Sequence, residues 1–292
     1  ADTDLFRMPT CSVHPLPYHP NPAEYFSRVR HAPGAVLLDS GRPSAERGRF
    51  DLLSAWPTEQ LWVQHDETGS DFLQRLRQSL DQLGTAQLPE EYPLPFAGGL
   101  IGYLSYDFGR RLEPLPAHAI DDLQLPDARL GVYAWAMISD HQQGTSQLVF
   151  HPALPESERQ RLLTLFSHVP AADSATFELI GAFKADLTER DYRSAFMRIQ
   201  AYIQSGDCYQ VNFSQRFQAD CQGDPWAAYC ALRRACPTPF SGYMTLPDNN
   251  TVLSLSPERF VRVSNRQVET RPIKGTRPRS KDTTQDAAYA DR

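Results

Sequence analysis

Two residues near the end of this 292-residue chain have the types and spacing to share a reaction: Glu258 in LSLSPERFVRV and Lys274 in RPIKGT. Of 29 basic residues only three are lysine, Lys184, Lys274 and Lys281, so the composition turns to arginine wherever a permanent positive charge suffices. Arginine stays protonated, whereas a desolvated lysine can shed its proton and act as a nucleophile or base. Lys274 stands between Ile273 and Gly275, behind Pro272, in a place that reads as a strand end and not as a solvated charged face. A carboxylic acid beside such an amine supplies a proton donor and a nucleophile, the pair that a covalent displacement needs. A structural salt bridge uses the same two residue types, and the spacing alone leaves both readings open.

The elements that must position this pair read as strands. TVLSLSPERFVRV and RQVETRPI are joined through Ser264 and Asn265, a short hairpin connection. A turn centred there puts Glu258 opposite Arg271 or Pro272, within a few residues of Lys274 on the neighbouring strand. Pro272 has no NH for a ladder, so pairing is expected to loosen just before the lysine, and Gly275 admits close approach of a ligand or backbone. Upstream, CYQVNFSQRF alternates Tyr209, Val211, Phe213 and Gln215 with the polar Gln210, Asn212, Ser214 and Arg216, which predicts a strand with one polar face. Before it, Thr188 with Asp191 opens a helix whose Tyr192, Phe196, Ile199 and Ile203 share a face and which Gly206 closes.

The first half alternates short apolar runs with turn residues: AVLLDSG, RFDLLSAWP, LWVQ, GGLIGYLSYD, LGVYAWAMISD and SQLVF read as strands. A few helical stretches interrupt them, notably one with Phe72, Leu73, Leu76, Leu80 and Leu83 at helical spacing and Gly84 as its stop. The chain turns polar between residues 154 and 174, which places a boundary there and divides it into residues 1–175 and 176–292. The glycines of GGLIGYLSYDFGRR have neither phosphate-loop spacing and read as packing glycines. The four tryptophans, Trp56, Trp62, Trp135 and Trp226, read as core.

A net charge of -6 gives no basic stripe for nucleic acid or an anionic membrane. The five cysteines form no CxxC pair and read as reduced thiols. The eight histidines lack metal-ligand spacing, so no metal is assigned to them. No apolar run approaches the length of a membrane span, and the start lacks the layout of a signal peptide. A cytoplasmic protein is the expectation.

The motifs LLDSGRPSAERGRFD, PFAGGLIGYLSYDFGRRLE, SGDCYQVNFSQRF, LSLSPERF and TRPIKGTRPR, in that order along nearly the whole chain, resemble those of the chorismate-utilising enzymes. That family includes anthranilate, aminodeoxychorismate, isochorismate and salicylate synthases. Relatives that add water to chorismate carry a lysine base where this chain has Gln210, and anthranilate synthases carry alanine where it has Lys274. The resemblance is therefore to the aminodeoxychorismate branch, which serves para-aminobenzoate and folate biosynthesis. Anthranilate synthase component I, or a non-catalytic tryptophan-binding relative, is the alternative.

The resemblance implies an α+β fold of the anthranilate synthase component I type: two large, mostly antiparallel sheets packed as a sandwich with peripheral helices. It also implies that a carboxy-terminal part is missing from this chain. In chemistry it implies that Glu258 protonates the departing C4 hydroxyl of chorismate while Lys274 adds at C2, after which ammonia adds at C4 and expels the lysine. Gly275 and Thr276 would contact the substrate. Magnesium would hold the substrate carboxylate through ligands beyond residue 292, so the 292 residues alone are expected to be inactive. A tryptophan pocket would be built from Ser40, the run Arg47, Gly48, Arg49 and Phe50, and Pro239, Phe240 and Ser241. Ammonia would come from a separate glutamine amidotransferase subunit, because this chain has no cysteine in a nucleophile-elbow setting.

Overall fold

The computed structural model of the chain describes residues 7–168, 170, 173–275 and 278–290. In chain order the first strands are β1 (Ser12–Leu16), β2 (Val36–Asp39), β3 (Phe50–Ser54), β4 (Glu59–Trp62), β5 (Gly99–Leu104), β6 (Ala128–Tyr133), β7 (Trp135–Asp140) and β8 (Thr145–Phe150). Then come β9 (Phe177–Leu179), β10 (Lys184–Ala185), β11 (Phe217–Gln218), β12 (Cys221–Gly223), β13 (Ser241–Thr245), β14 (Thr251–Ser254), β15 (Arg262–Ser264) and β16 (Gln267–Glu269). The helices are α1 (Ala23–Phe26), α2 (Gly69–Leu83), α3 (Glu156–Ser167), α4 (Glu189–Ser205), α5 (Pro225–Ala235) and α6 (Thr283–Ala290). Residues 1–171 together with 233–292 form one compact unit, and residues 172–232 form another.

In the larger unit the strand order β1-β8-β7-β3-β2-β13-β14 makes a seven-stranded antiparallel sheet. Both of its faces are covered, which explains why its central strands are nearly continuous apolar runs. On one face Val36, Leu52, Ile138 and Val149 meet Ile101 and Tyr133 of a second, three-stranded sheet ordered β4-β6-β5. On the other, Trp135 lies edge-on to Phe166 of α3 at 5.8 Å and Tyr243 edge-on to Phe26 of α1 at 5.7 Å. The far side of the small sheet is covered by α2, whose Phe72 and Leu76 pack with Leu61, Ala128 and Val132.

All six apolar runs of the first half form strands as expected. The run LGVYAWAMISD does more: it breaks at Ala134 and feeds one strand to each sheet, β6 to the small one and β7 to the large one. The helix α2 starts where Thr68 accepts a hydrogen bond from the NH of Asp71 at 3.1 Å and stops at Gly84, φ 88°. Its Leu80 is exposed, so the buried face is narrower than the spacing suggests. Strands β13 and β14 lie beyond residue 175, yet β13 hydrogen-bonds to β2 and so belongs to the sheet of the first half.

In the smaller unit α4 has the expected ends, with Thr188 accepting from the NH of Asp191 and Gly206 at φ 82°. None of its residues is buried. The strand predicted over CYQVNFSQRF is absent apart from Phe217, since residues 208–216 join no ladder. Alternation makes a strand only where a neighbour supplies hydrogen bonds; here the carbonyl of Arg216, at the end of the run, accepts from the NH of Asp186 at 2.9 Å, while residues 208–215 join no ladder. Tyr209 is 93% exposed as a result. Past residue 175, β9 to β12, β15 and β16 form only two-stranded ladders. The described residues therefore have the expected α+β fold of helices and antiparallel sheets, its two main sheets having seven strands and three.

Candidate active site

Strands β15 and β16 set the position of the acid. Their register pairs Arg262 with Glu269, Val263 with Val268 and Ser264 with Gln267. The turn is Asn265-Arg266, with φ 50° and 63°, the left-handed pair that a two-residue hairpin loop needs. It sits one residue later than the sequence suggested, so Glu258 faces Ile273 and not Arg271 or Pro272. The contact is direct, because the NH of Ile273 donates to Oε2 of Glu258 at 3.2 Å. Lys274 follows immediately.

Local bonds brace this end of the hairpin. The hydroxyl of Ser256 accepts from the NH of Glu258 at 3.2 Å and donates to its carbonyl at 2.7 Å, so the chain is pinned on either side of the carboxylate. Thr270 donates to the carbonyl of Phe260 at 3.2 Å across the strands. Arg259 pairs with Glu269 and lies over the ring of Phe240 at 5.4 Å, which ties the hairpin to the start of β13. Glu258, Lys274 and Gly275 are all exposed, and a Cβ added at Gly275 would meet nothing within 4 Å. The described residues thus leave open space beside the amine instead of the apolar enclosure that would desolvate it. Thr276 lies outside the described residues. Gln210 is exposed, donates to Asn212 at 3.3 Å and belongs to the smaller unit.

The residues expected around tryptophan divide into a tight group and a looser one. Ser40 follows β2, and Ser241 of β13 pairs with Asp39, the residue before it. Gly48 backs directly onto Ser40: an added Cβ would lie 2.2 Å from the serine Cβ, so only glycine fits. Arg49 makes a bidentate contact with Asp140 at 3.1 and 2.9 Å and lies over Phe50 at 4.6 Å. Burial pushes the Asp140 carboxyl up, but Arg49 and the NH groups of Gln142 and Gln143 outweigh it and hold the group below its ordinary value. Pro239 is half-buried, while Arg47 and Phe240 are exposed.

Beneath Ser40 runs a buried polar chain that sequence reasoning missed. Asp51 accepts from the NH of Ser40 at 2.8 Å and from its hydroxyl at 2.7 Å. The other carboxylate oxygen of Asp51 meets Nε2 of His141 at 2.7 Å, and Nδ1 of His141 meets the hydroxyl of Tyr18 at 2.7 Å. Alongside, Arg233 pairs with Asp39 at 2.6 and 3.1 Å, with side-chain exposures of 9% and 0%. A usable signal was present in the two aspartates set inside apolar runs, LLDSG and RFDLL, since buried carboxylates need partners. The partners themselves, up to 194 residues away, carry no local signature.

Among the described residues no three histidine, cysteine, aspartate or glutamate side chains gather to hold a metal ion. No helix among them is long and apolar enough to cross a membrane.

Residues 34–292 match the family described as chorismate binding enzyme. The chain belongs to that family. It is 41% identical over 285 residues to aminodeoxychorismate synthase component 1 of Klebsiella aerogenes, covering 93% of this chain and 61% of that protein. To the enzyme of the same name from Salmonella typhimurium it is 41% identical over 292 residues, covering 96% and 63%. The chain therefore spans less than two thirds of the length of those relatives. Its fold is similar to that of anthranilate synthase component I from Streptococcus pneumoniae, with a TM-score of 0.62 at 24% identity, covering 76% of this chain and 53% of that one.

Proposed function

We propose that the protein carrying this chain is an aminodeoxychorismate synthase component I, which replaces the C4 hydroxyl of chorismate with an amino group. One observation carries the reading: the Glu258 carboxylate is held by the NH of the residue before Lys274, so acid and amine project from one end of one hairpin. In the proposed sequence the Lys274 amine bonds to C2 as the ring double bonds shift and the C4–oxygen bond breaks. Glu258 supplies the proton that lets the oxygen leave as water. Ammonia then bonds to C4, the double bonds shift back and the lysine leaves C2. Two easier displacements replace one hard one, and the product keeps its enolpyruvyl group.

Among the described residues no three histidine, cysteine, aspartate or glutamate side chains gather, and no step is assigned to a metal; magnesium would be held by ligands beyond residue 292. The exposed Lys274 amine supports the view that further polypeptide closes the site. Turnover by these 292 residues alone is accordingly expected to be nil. The ammonia source is a glutamine amidotransferase partner, the setting cytoplasmic, and tryptophan the ligand of the group around Ser40 and Ser241. Incubating the full-length protein with chorismate, magnesium and ammonium tests the reading: 4-amino-4-deoxychorismate should accumulate. Release of fluorescent anthranilate would overturn it in favour of the anthranilate reaction.

A further inference from the structure

A cleft of about 390 Å³ opens where the ends of β4 and β6 face the turn between β13 and β14. It contains no residue of the Glu258–Lys274 hairpin or of the group around Ser40. One wall is Arg129, half-buried, with its guanidinium over the indole of Trp62 at 5.2 Å and donating to Gln60. Burial pushes the Arg129 pKa down, and the nearby Tyr103, Tyr133 and Asp248 act against that. The other wall is Asp248, exposed at φ 60°. Among the described residues neither Arg129 nor Asp248 forms an ion pair with any group, including each other. The half-exposed Trp62, Leu125 and Leu246 also line the cleft.

The carboxylate nearest in effect to this half-buried guanidinium is Asp248, which favours its charged form without forming an ion pair. Asp248 itself is exposed, so the two opposite charges share the cleft unbridged. A ligand with only an anionic head would satisfy Arg129 and leave Asp248 as a repulsive neighbour, and an amine alone would do the reverse. A small zwitterion satisfies both, and a volume near the lower end for ligand sites suits a single small molecule. We propose that this cleft binds a free α-amino acid with an apolar side chain, its carboxylate on Arg129, its ammonium on Asp248 and its side chain against Trp62 and Leu246. The inference is independent of the chorismate chemistry proposed above.

The test is calorimetric titration of the full-length protein with L-phenylalanine, repeated on the Asp248→Asn and Arg129→Gln variants. Asparagine suits a left-handed backbone, so D248N keeps its turn, and an unchanged melting temperature checks that both variants fold. The proposal expects saturable one-site binding in the parent and a loss of affinity of about tenfold or more in each variant. No saturable heat up to about 10 mM ligand would overturn it. Binding unchanged in both variants would also overturn it, by placing the ligand elsewhere, for instance near Ser40. Sensitivity to Arg129→Gln alone would overturn the amino-acid assignment in favour of a plain carboxylate subsite.

Discussion

Oε2 of Glu258 accepts a hydrogen bond from the backbone NH of Ile273 at 3.2 Å, and the next residue in the chain is Lys274. The contact of Glu258 with the residue before Lys274 is therefore a consequence of hairpin register, fixed by the Asn265-Arg266 turn and the β15–β16 ladder. A slip of one residue would send the Glu258 side chain to the opposite face.

Replacing Glu258 by glutamine should separate its two roles. The amide oxygen can still accept from Ile273, so the hairpin is retained, but the proton is gone. In the full-length protein kcat with ammonium is expected to fall by about 10²–10⁴ with KM for chorismate little changed. Steady-state kinetics checks this, and a kcat near the parent value would remove Glu258 from the chemistry.

The buried pair of Arg233 and Asp39 leads to a stability prediction. Arg233→Ala takes the guanidinium from a carboxylate with no exposure, leaving it neutral donors such as the NH of Gly41, which costs about 3–5 kcal/mol, and it removes the donor to the carbonyl of Arg42. Adding Asp39→Asn should recover a large part of that loss. Urea unfolding of the single and double variants measures both, and equal losses in the two would contradict the explanation.

Gly48→Ala should be destabilising because its new Cβ cannot coexist with Ser40. Overpacking of this kind costs about 1–3 kcal/mol. The melting temperature is expected to drop by several degrees, and any heat of tryptophan binding to the group around Ser40 should fall with it. An unchanged melting temperature would show that the backbone there moves freely.

The carboxyl of Asp140 is held below its ordinary value by Arg49 and two backbone NH groups. A depressed folded-state pKa adds stability that is fully present above the unfolded value of about 3.9 and is lost as pH falls through the folded one. Asp140→Asn is expected to cost about 1–2 kcal/mol at neutral pH, and the gap to the parent should narrow below about pH 4. Unfolding free energies across that range test the sign: a gap that widens on acidification would contradict it.

What the sequence made legible follows from range. Local rules placed the Thr188 cap, the Gly206 stop, the Gly84 stop and the strands of the first half other than β1, because each is decided within a few residues. The hairpin joining Glu258 to the lysine strand was also legible, although the turn proved to be Asn265-Arg266. Side-chain periodicity does not resolve a one-residue shift at a loop where Ser264, Asn265 and Arg266 are all polar. The strand expected over residues 208–217 was misjudged for the opposite reason: its alternation is real, but pairing depends on a neighbouring strand, and residues 208–215 join no ladder. The Asp51–His141–Tyr18 chain and the Arg233–Asp39 pair join residues distant in sequence, so only the folded sheet reveals them.

Mass spectrometry of the full-length protein, incubated with chorismate and magnesium in the absence of ammonia, addresses the covalent claim itself. Peptides containing Lys274 should gain the mass of chorismate less one water, and the gain should vanish in the Lys274→Ala variant. If chorismate is consumed with no such adduct, or if the alanine variant aminates chorismate at the parent rate, Lys274 is not the nucleophile.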